Sequence, residues 1–131
     1  MLNFLLTHRF AQIHPTLVPN SDEVKIDNVT YLITDLGGDK ISRKKWREYF
    51  DIIDGIIFMI DASDAQRIQD AKHEIDLLRE VEKLQHIPIA ILGNKEDKSN
   101  CLNENELREQ LGLTRDKTYG NDHNEIAEDD N

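Results

Sequence analysis

Tyr31-Leu32-Ile33-Thr34-Asp35-Leu36-Gly37-Gly38 is the stretch on which the reading of the fold turns. An apolar run ends in an aspartate, and two glycines follow at once. Such a run predicts a strand, and its continuity suits one buried in a parallel sheet. Asp35 then emerges at the carboxyl end of the strand, the edge where open α/β sheets bind ligands. The glycines let the backbone turn sharply and come close to a bound group. An acidic side chain followed by bare backbone suits Mg²⁺ and a terminal phosphate. Alone, Asp-x-Gly-Gly says little, because many strands end this way only so that the chain can turn. Its weight comes from its surroundings.

Upstream, Val24 and Ile26 alternate with charged residues, and Val29, Tyr31 and Ile33 resume the same period of two. Asp27-Asn28 between them tolerates positive φ, so the pattern predicts an antiparallel hairpin over Glu23 to Ile26 and Val29 to Thr34. Before it, His14 to Ser21 carries Pro15 and Pro19 and reads as a loop. A hydroxyl on such a loop, Thr16, is able to ligate a metal, though a lone loop threonine is usually just solvated. Met1 to Ala11 reads as a helix, with Leu2, Leu5, Leu6 and Phe10 on one face, but it opens in mid-pattern with no capping residue. Downstream, Asp39 to Phe50 is basic and aromatic and predicts partial helix. Trp46, Tyr49 and Phe50 share its apolar face. Phe50 suits docking on a core, whereas Trp46, set among charges, suits a partner surface.

Gly55-Ile56-Ile57-Phe58-Met59-Ile60-Asp61 is the clearest buried strand. Ser63 or Asp64 is the expected cap of a long helix with an apolar stripe of Ile68, Ala71, Ile75, Leu78 and Val81. Ile87 to Gly93 is a second buried strand, with Pro88 tolerable at its start. Strand, helix and strand make a parallel βαβ unit. Asn103 then caps a short helix, with Glu106 placed to reach back in a capping box and Gly112 to end it. From Thr114 onward the chain is polar and acidic, a composition that predicts disorder.

The whole sequence of 131 residues fits one domain with a real core. Its net charge of −10 argues against a nucleic-acid binder and gives no pull toward an anionic membrane. Cys101, the only cysteine, precludes an internal disulfide and fits a reducing compartment. The five histidines are scattered, with no zinc-ligand spacing. No apolar run approaches transmembrane length.

The βαβ unit ends in Asn94-Lys95-Glu96-Asp97. In a parallel sheet its strand end lies on the same edge as that of Asp35. A carboxylate two residues after a lysine accepts both N–H donors of guanine N1 and N2, a pair that adenine lacks. The lysine stem packs along the base and the asparagine braces the loop. Asn-Lys-x-Asp alone is moderately specific; after a buried strand, and downstream of strand-Asp-x-Gly-Gly, it becomes strong.

Here the sequence resembles the Ras-like small GTPases, within them the Arf/Sar branch, and most closely the Sar-type GTPases of the COPII coat. Four passages carry the resemblance over residues 1–113. Pro15 to Glu23 looks like switch I, Asp35-Leu36-Gly37-Gly38 like the start of switch II, Trp46 to Phe50 like the branch's switch II helix, and Leu92 to Asp97 like the guanine motif. The resemblance implies a P-loop NTPase-like α/β G domain, incomplete, with a mostly parallel sheet and flanking helices, over 1–113, and an acidic tail over 114–131. It implies GTP or GDP and Mg²⁺ as ligands. Thr16 and Asp35 are the implied metal residues, and Gly38, Asn94, Lys95 and Asp97 the nucleotide residues. Asp39 stands at the catalytic position. Coat subunits, an exchange factor and a GTPase-activating protein are the implied partners, meeting the switch regions around Trp46. The implied setting is vesicle transport at the cytosolic face of the endoplasmic reticulum and Golgi, with peripheral membrane association.

Three departures accompany the resemblance. No Gly-x-x-x-x-Gly-Lys-Ser/Thr occurs in the sequence. The expectation is that the chain begins just past that phosphate loop, inside the first helix, beyond the first strand and the family's amphipathic membrane helix. Asp39 replaces the His or Gln that orients the attacking water, and a carboxylate facing a triphosphate meets like charge. The tail shows neither the final strand and helix nor the loop that completes the guanine pocket. Two readings follow: a Sar-type GTP-binding protein with impaired hydrolysis, or a catalytically inactive degenerate G domain that serves as a protein-interaction module. An unrelated α/β domain would have to hold four motifs in the right order by chance.

Overall fold

The structure, a computed structural model, describes residues 17–113. The expected helix over Met1 to Ala11, the metal candidate Thr16 and the acidic tail from Thr114 lie outside the described residues. The chain divides into two units, Met1–Tyr49 and Phe50–Asn131.

In the first unit, β1 (Asn20–Ile26) and β2 (Val29–Asp35) form an antiparallel hairpin whose register runs from Ile26 opposite Val29 to Asn20 opposite Asp35. Asp27 takes φ 52° in the two-residue turn, as its residue type allows. β1 starts within the stretch expected to be loop. β2 is long enough to pair it, and the hydroxyls of Ser21 and Thr34 meet across the strands at 2.7 Å. The hairpin expectation holds, but the expectation of a buried parallel strand does not hold for β2. Among the described residues β2 pairs with β1 alone, Leu32 is 71% exposed, and Val24 is the hairpin's one buried apolar side chain. A continuous apolar run records that a strand can be covered on both faces; it does not say by what. The partly helical stretch after Gly38 is an eight-residue 3-10 helix, Ser42–Tyr49, longer than such helices usually run.

The second unit holds the βαβ arrangement. β3 (Ile56–Asp61) and β4 (Ile89–Asn94) are parallel, with Ile56 opposite Ile89 and Asp61 opposite Asn94. Between them runs α1 (Ile68–Glu80), and α2 (Glu104–Leu111) follows β4. Ile60, Ala62, Ile68, Ile75, Leu107 and Leu111 form the core, with Phe58 and Ile91 packed against it. Each fully buried aliphatic side chain of this kind contributes about 1.5–3 kcal/mol by leaving water. β4 passes so close beneath α2 that a Cβ on Gly93 would stand 2.9 Å from a Leu107 methyl, which would have to shift to admit it.

Three sequence expectations are corrected here. β3 and β4 were expected to be buried continuously, yet they alternate: Phe58 and Ile60 face the core while Ile57 (50%) and Met59 (42%) are exposed. The helices α1 and α2 cover one face of the pair. Neither Ser63 nor Asp64 caps α1, which starts at Ile68 after the non-capping Arg67. Ser63 is instead drawn back to Asp61, and successive turns occupy the interval. Val81 belongs not to the helical stripe but to the extended residue that ends it. The capping box of α2 forms as read: Asn103 accepts from the Glu106 N–H, the Glu106 carboxylate accepts from the Asn103 N–H, and Gly112 ends the helix at φ 69°.

Candidate functional site

The guanine-motif candidates sit at the carboxyl end of β4. Because β3 and β4 are parallel and in register, Asp61 and Asn94 end their strands side by side. Ala62, buried between them, donates its N–H to the Asn94 carbonyl at 3.1 Å and accepts from the Leu102 N–H at 2.9 Å. This buried peptide ties the loop after β3, the end of β4 and the approach to α2 into one frame. Asn100 adds a bond from its amide to the Ser63 carbonyl at 2.8 Å.

Beyond Asn94 the chain leaves the strand through Lys95, which takes φ 65°. A lysine in the left-handed region is uncommon, and strained backbone of this kind clusters at functional sites. The turn is closed by the Lys98 N–H on the Lys95 carbonyl at 3.1 Å. The Lys95 ammonium reaches Asp61 Oδ2 at 2.6 Å. Asp61 Oδ1 in turn accepts from the Ser63 hydroxyl at 2.5 Å and the Ser63 N–H at 3.1 Å. The Lys95 hydrogen bond first, then that of Ser63, holds the Asp61 carboxyl down at about 2. Asn94, Lys95 and Asp97 are exposed, as side chains that meet a ligand must be. An open cleft of about 430 Å³ borders the same loop, lined by Asp61, Ser63, Asp64, Lys98 and Asn100 among others.

In the first unit, β2 delivers Asp35 to its end with the side chain exposed. Gly37 is buried, and a Cβ at Gly38 would meet nothing within 4 Å. The 3-10 helix turns back onto these glycines. The Arg43 Nε–H donates to the Gly38 carbonyl at 2.7 Å, and the Trp46 indole N–H to the Gly37 carbonyl at 3.0 Å. Trp46 is thus half-buried and holds the turn. Asp39 caps the helix: one carboxylate oxygen accepts from the Ile41 N–H (2.9 Å) and the Ser42 N–H (3.1 Å), the other from the Ser42 hydroxyl. The Ser42 hydroxyl and these N–H groups hold the Asp39 carboxyl below its ordinary range.

The donors suit the ligands that the sequence implies. Mg²⁺ keeps most of its waters and takes one or two carboxylates beside phosphate oxygens. Asp35 supplies one such oxygen donor, and among the described residues no cluster of three or more His, Cys, Asp and Glu makes a closed metal cage. Thr16, the other metal candidate, lies outside the described residues. Sequence reasoning passed over Asp61, Ser63 and Arg43 as site residues. The signal for Asp61 was present, since two parallel strands ending in Asp61 and Asn94 bring an acid beside the Asn-Lys pair.

An α/β arrangement with this hairpin, this βαβ unit and these two strand ends is that of a Ras-like P-loop GTPase. A solved small GTPase, Arl6 (BBS3) from Trypanosoma brucei with the bound nucleotide analogue GppNp, matches it at a TM-score of 0.75 and 27% identity. That match covers 84% of this chain and 69% of the other. Residues 1–128 match the ADP-ribosylation factor family, and the chain belongs to it. Arf-family GTPases bind GTP or GDP with Mg²⁺ and meet regulators and effectors through their switch regions.

Proposed function

We propose that this chain is a Sar-type guanine-nucleotide-binding protein, acting in COPII vesicle formation and protein transport from endoplasmic reticulum to Golgi. Asn94, Lys95 and Asp97 recognise the guanine base; Asp35 serves Mg²⁺, with Thr16 beside it in sequence resemblance, and the Gly38 N–H serves the γ-phosphate. The observation that carries the reading is the loop after β4. Its Lys95 backbone is held left-handed, its ammonium is tied to a neighbouring strand end, and its Asp97 carboxylate is exposed for a base. Membership of the Arf family supports nucleotide binding, and the resemblance of Pro15 to Glu23 to the Sar switch I supports the Sar-type assignment.

Hydrolysis in this reading is slow. A residue that orients water must offer a free polar group toward the attack line. Both oxygens of the Asp39 carboxylate instead cap the following helix. This same observation favours the second reading, an interaction module that presents its switch II surface without turning nucleotide over.

A titration of the chain with a fluorescent GDP analogue and Mg²⁺, competed with unlabelled GDP and with ATP, tests the first reading. Saturable binding displaced by GDP and not by ATP is the expected result. A folded chain that binds neither nucleotide would leave the interaction module in its place.

A further inference from the structure

We propose that Asp61 is a positioning residue of the guanine loop: from the end of β3 it fixes the Lys95 ammonium and so sets the course of the lysine stem before any base arrives. The inference rests on the guanine-binding reading above. The two residues are distant in sequence, yet the parallel register puts their strand ends together. Lys95 Nζ lies 2.6 Å from Asp61 Oδ2, and Asp61 does not swing freely, because Ser63 grips its other oxygen with both hydroxyl and N–H. The anchor behind it is rigid: Ser63 is itself buried, and Ala62 is locked to Asn94 and Leu102 by backbone bonds.

The arrangement matters because Lys95 is the awkward residue of the motif. Its left-handed backbone leaves a long, flexible side chain at the tip of an exposed loop. A lysine loses much rotamer freedom when it is ordered. If a base must order that side chain, binding bears the cost; if Asp61 has ordered it already, binding does not. Asp97 has a separate task, since it reads the N1 and N2 edge of the base and has no part in the tether. Asp61 therefore tunes affinity for the purine without tuning discrimination by the exocyclic amine.

The test is a double-mutant cycle on nucleotide affinity. Asp61→Asn keeps the shape and removes the charge; Lys95→Met keeps the stem and removes the ammonium. The pair is partly exposed, so Asp61→Asn is expected to raise the Kd about fivefold. It should do so equally for GDP and for inosine diphosphate, which lacks the exocyclic amine. Placed on Lys95→Met, it should change the Kd less than about 1.5-fold. Ser63→Ala, which leaves Asp61 in place but loosens it, should give a smaller loss, about twofold. Unchanged or tighter binding by Asp61→Asn, or an equal loss on Lys95→Met, would overturn the proposal. Rates of reductive methylation at Lys95, read by mass spectrometry, separate this from failure of the nucleotide reading. If the wild-type chain binds no guanine nucleotide, slower modification of Lys95 in wild type than in Asp61→Asn still upholds the tether. Equal rates overturn it as well.

Discussion

The cluster of Lys95, Asp61 and Ser63 shows what one side chain can and cannot reveal in a linear sequence. Asn94, Lys95 and Asp97 were legible because the chemistry that reads guanine needs those types at that spacing. Asp61 was not read as part of the site, because its role comes from strand register, which joins residues far apart in the chain. Asp39 was legible as a departure but not as a cap; only the return of Ser42 toward it settles where its oxygens go. Asp61 also carries a pH signature. Its folded pKa, about 2, lies below its ordinary 3.8, so the stability it contributes is present above the higher value and lost as pH falls through the lower. The gap in urea midpoint between wild type and Asp61→Asn should therefore stay flat from neutral pH to about pH 4 and close toward about pH 2. A gap that widens on acidification would contradict the assignment.

At the scale of elements, local chemistry decided what could be foreseen. The short helix α2 was foreseen at both ends because its signals are local: Asn103 with Glu106 at the start, Gly112 at the finish. Asn103→Ala should lower stability by about 1 kcal/mol, measured by urea unfolding, with Asn103→Asp recovering most of it. The start of α1 lies later than its local signals predict, because two local signals compete. Ser63 and Asp64 are good caps by type, but a stronger acceptor, the Asp61 carboxylate, lies within reach of Ser63. A contact with a residue only two positions back outcompeted the capping propensity. The strands were found by their apolar runs, yet their burial was overestimated. A run fixes that a strand exists, while the helices laid against it decide which face is dry; Ile57, Met59 and Leu92 lie on the face that α1 and α2 leave open.

At the scale of the whole molecule, the family was legible from four short passages in order, and the division into two units was not. Among the described residues the two units are unequally endowed. The core cluster of Ile60, Ile68, Ile75, Leu107 and Leu111 belongs to Phe50–Asn131, whereas Val24 is the buried aliphatic side chain described in Met1–Tyr49. Fewer buried contacts mean a lower local opening free energy. The sequence also holds a single tryptophan, and its indole N–H is bonded to the Gly37 carbonyl in the weaker unit. The α-helices α1 and α2 both stand in the stronger one. Among the described residues, each unit thus has its own optical reporter: tryptophan emission for Met1–Tyr49, α-helical dichroism for Phe50–Asn131. In a urea titration the emission of Trp46 should change at lower denaturant than the helical signal, and superimposable curves would show a single cooperative transition instead. The indole whose hydrogen bond steadies the Asp-x-Gly-Gly turn therefore doubles as a lamp set on that turn, one that needs no added label to be read.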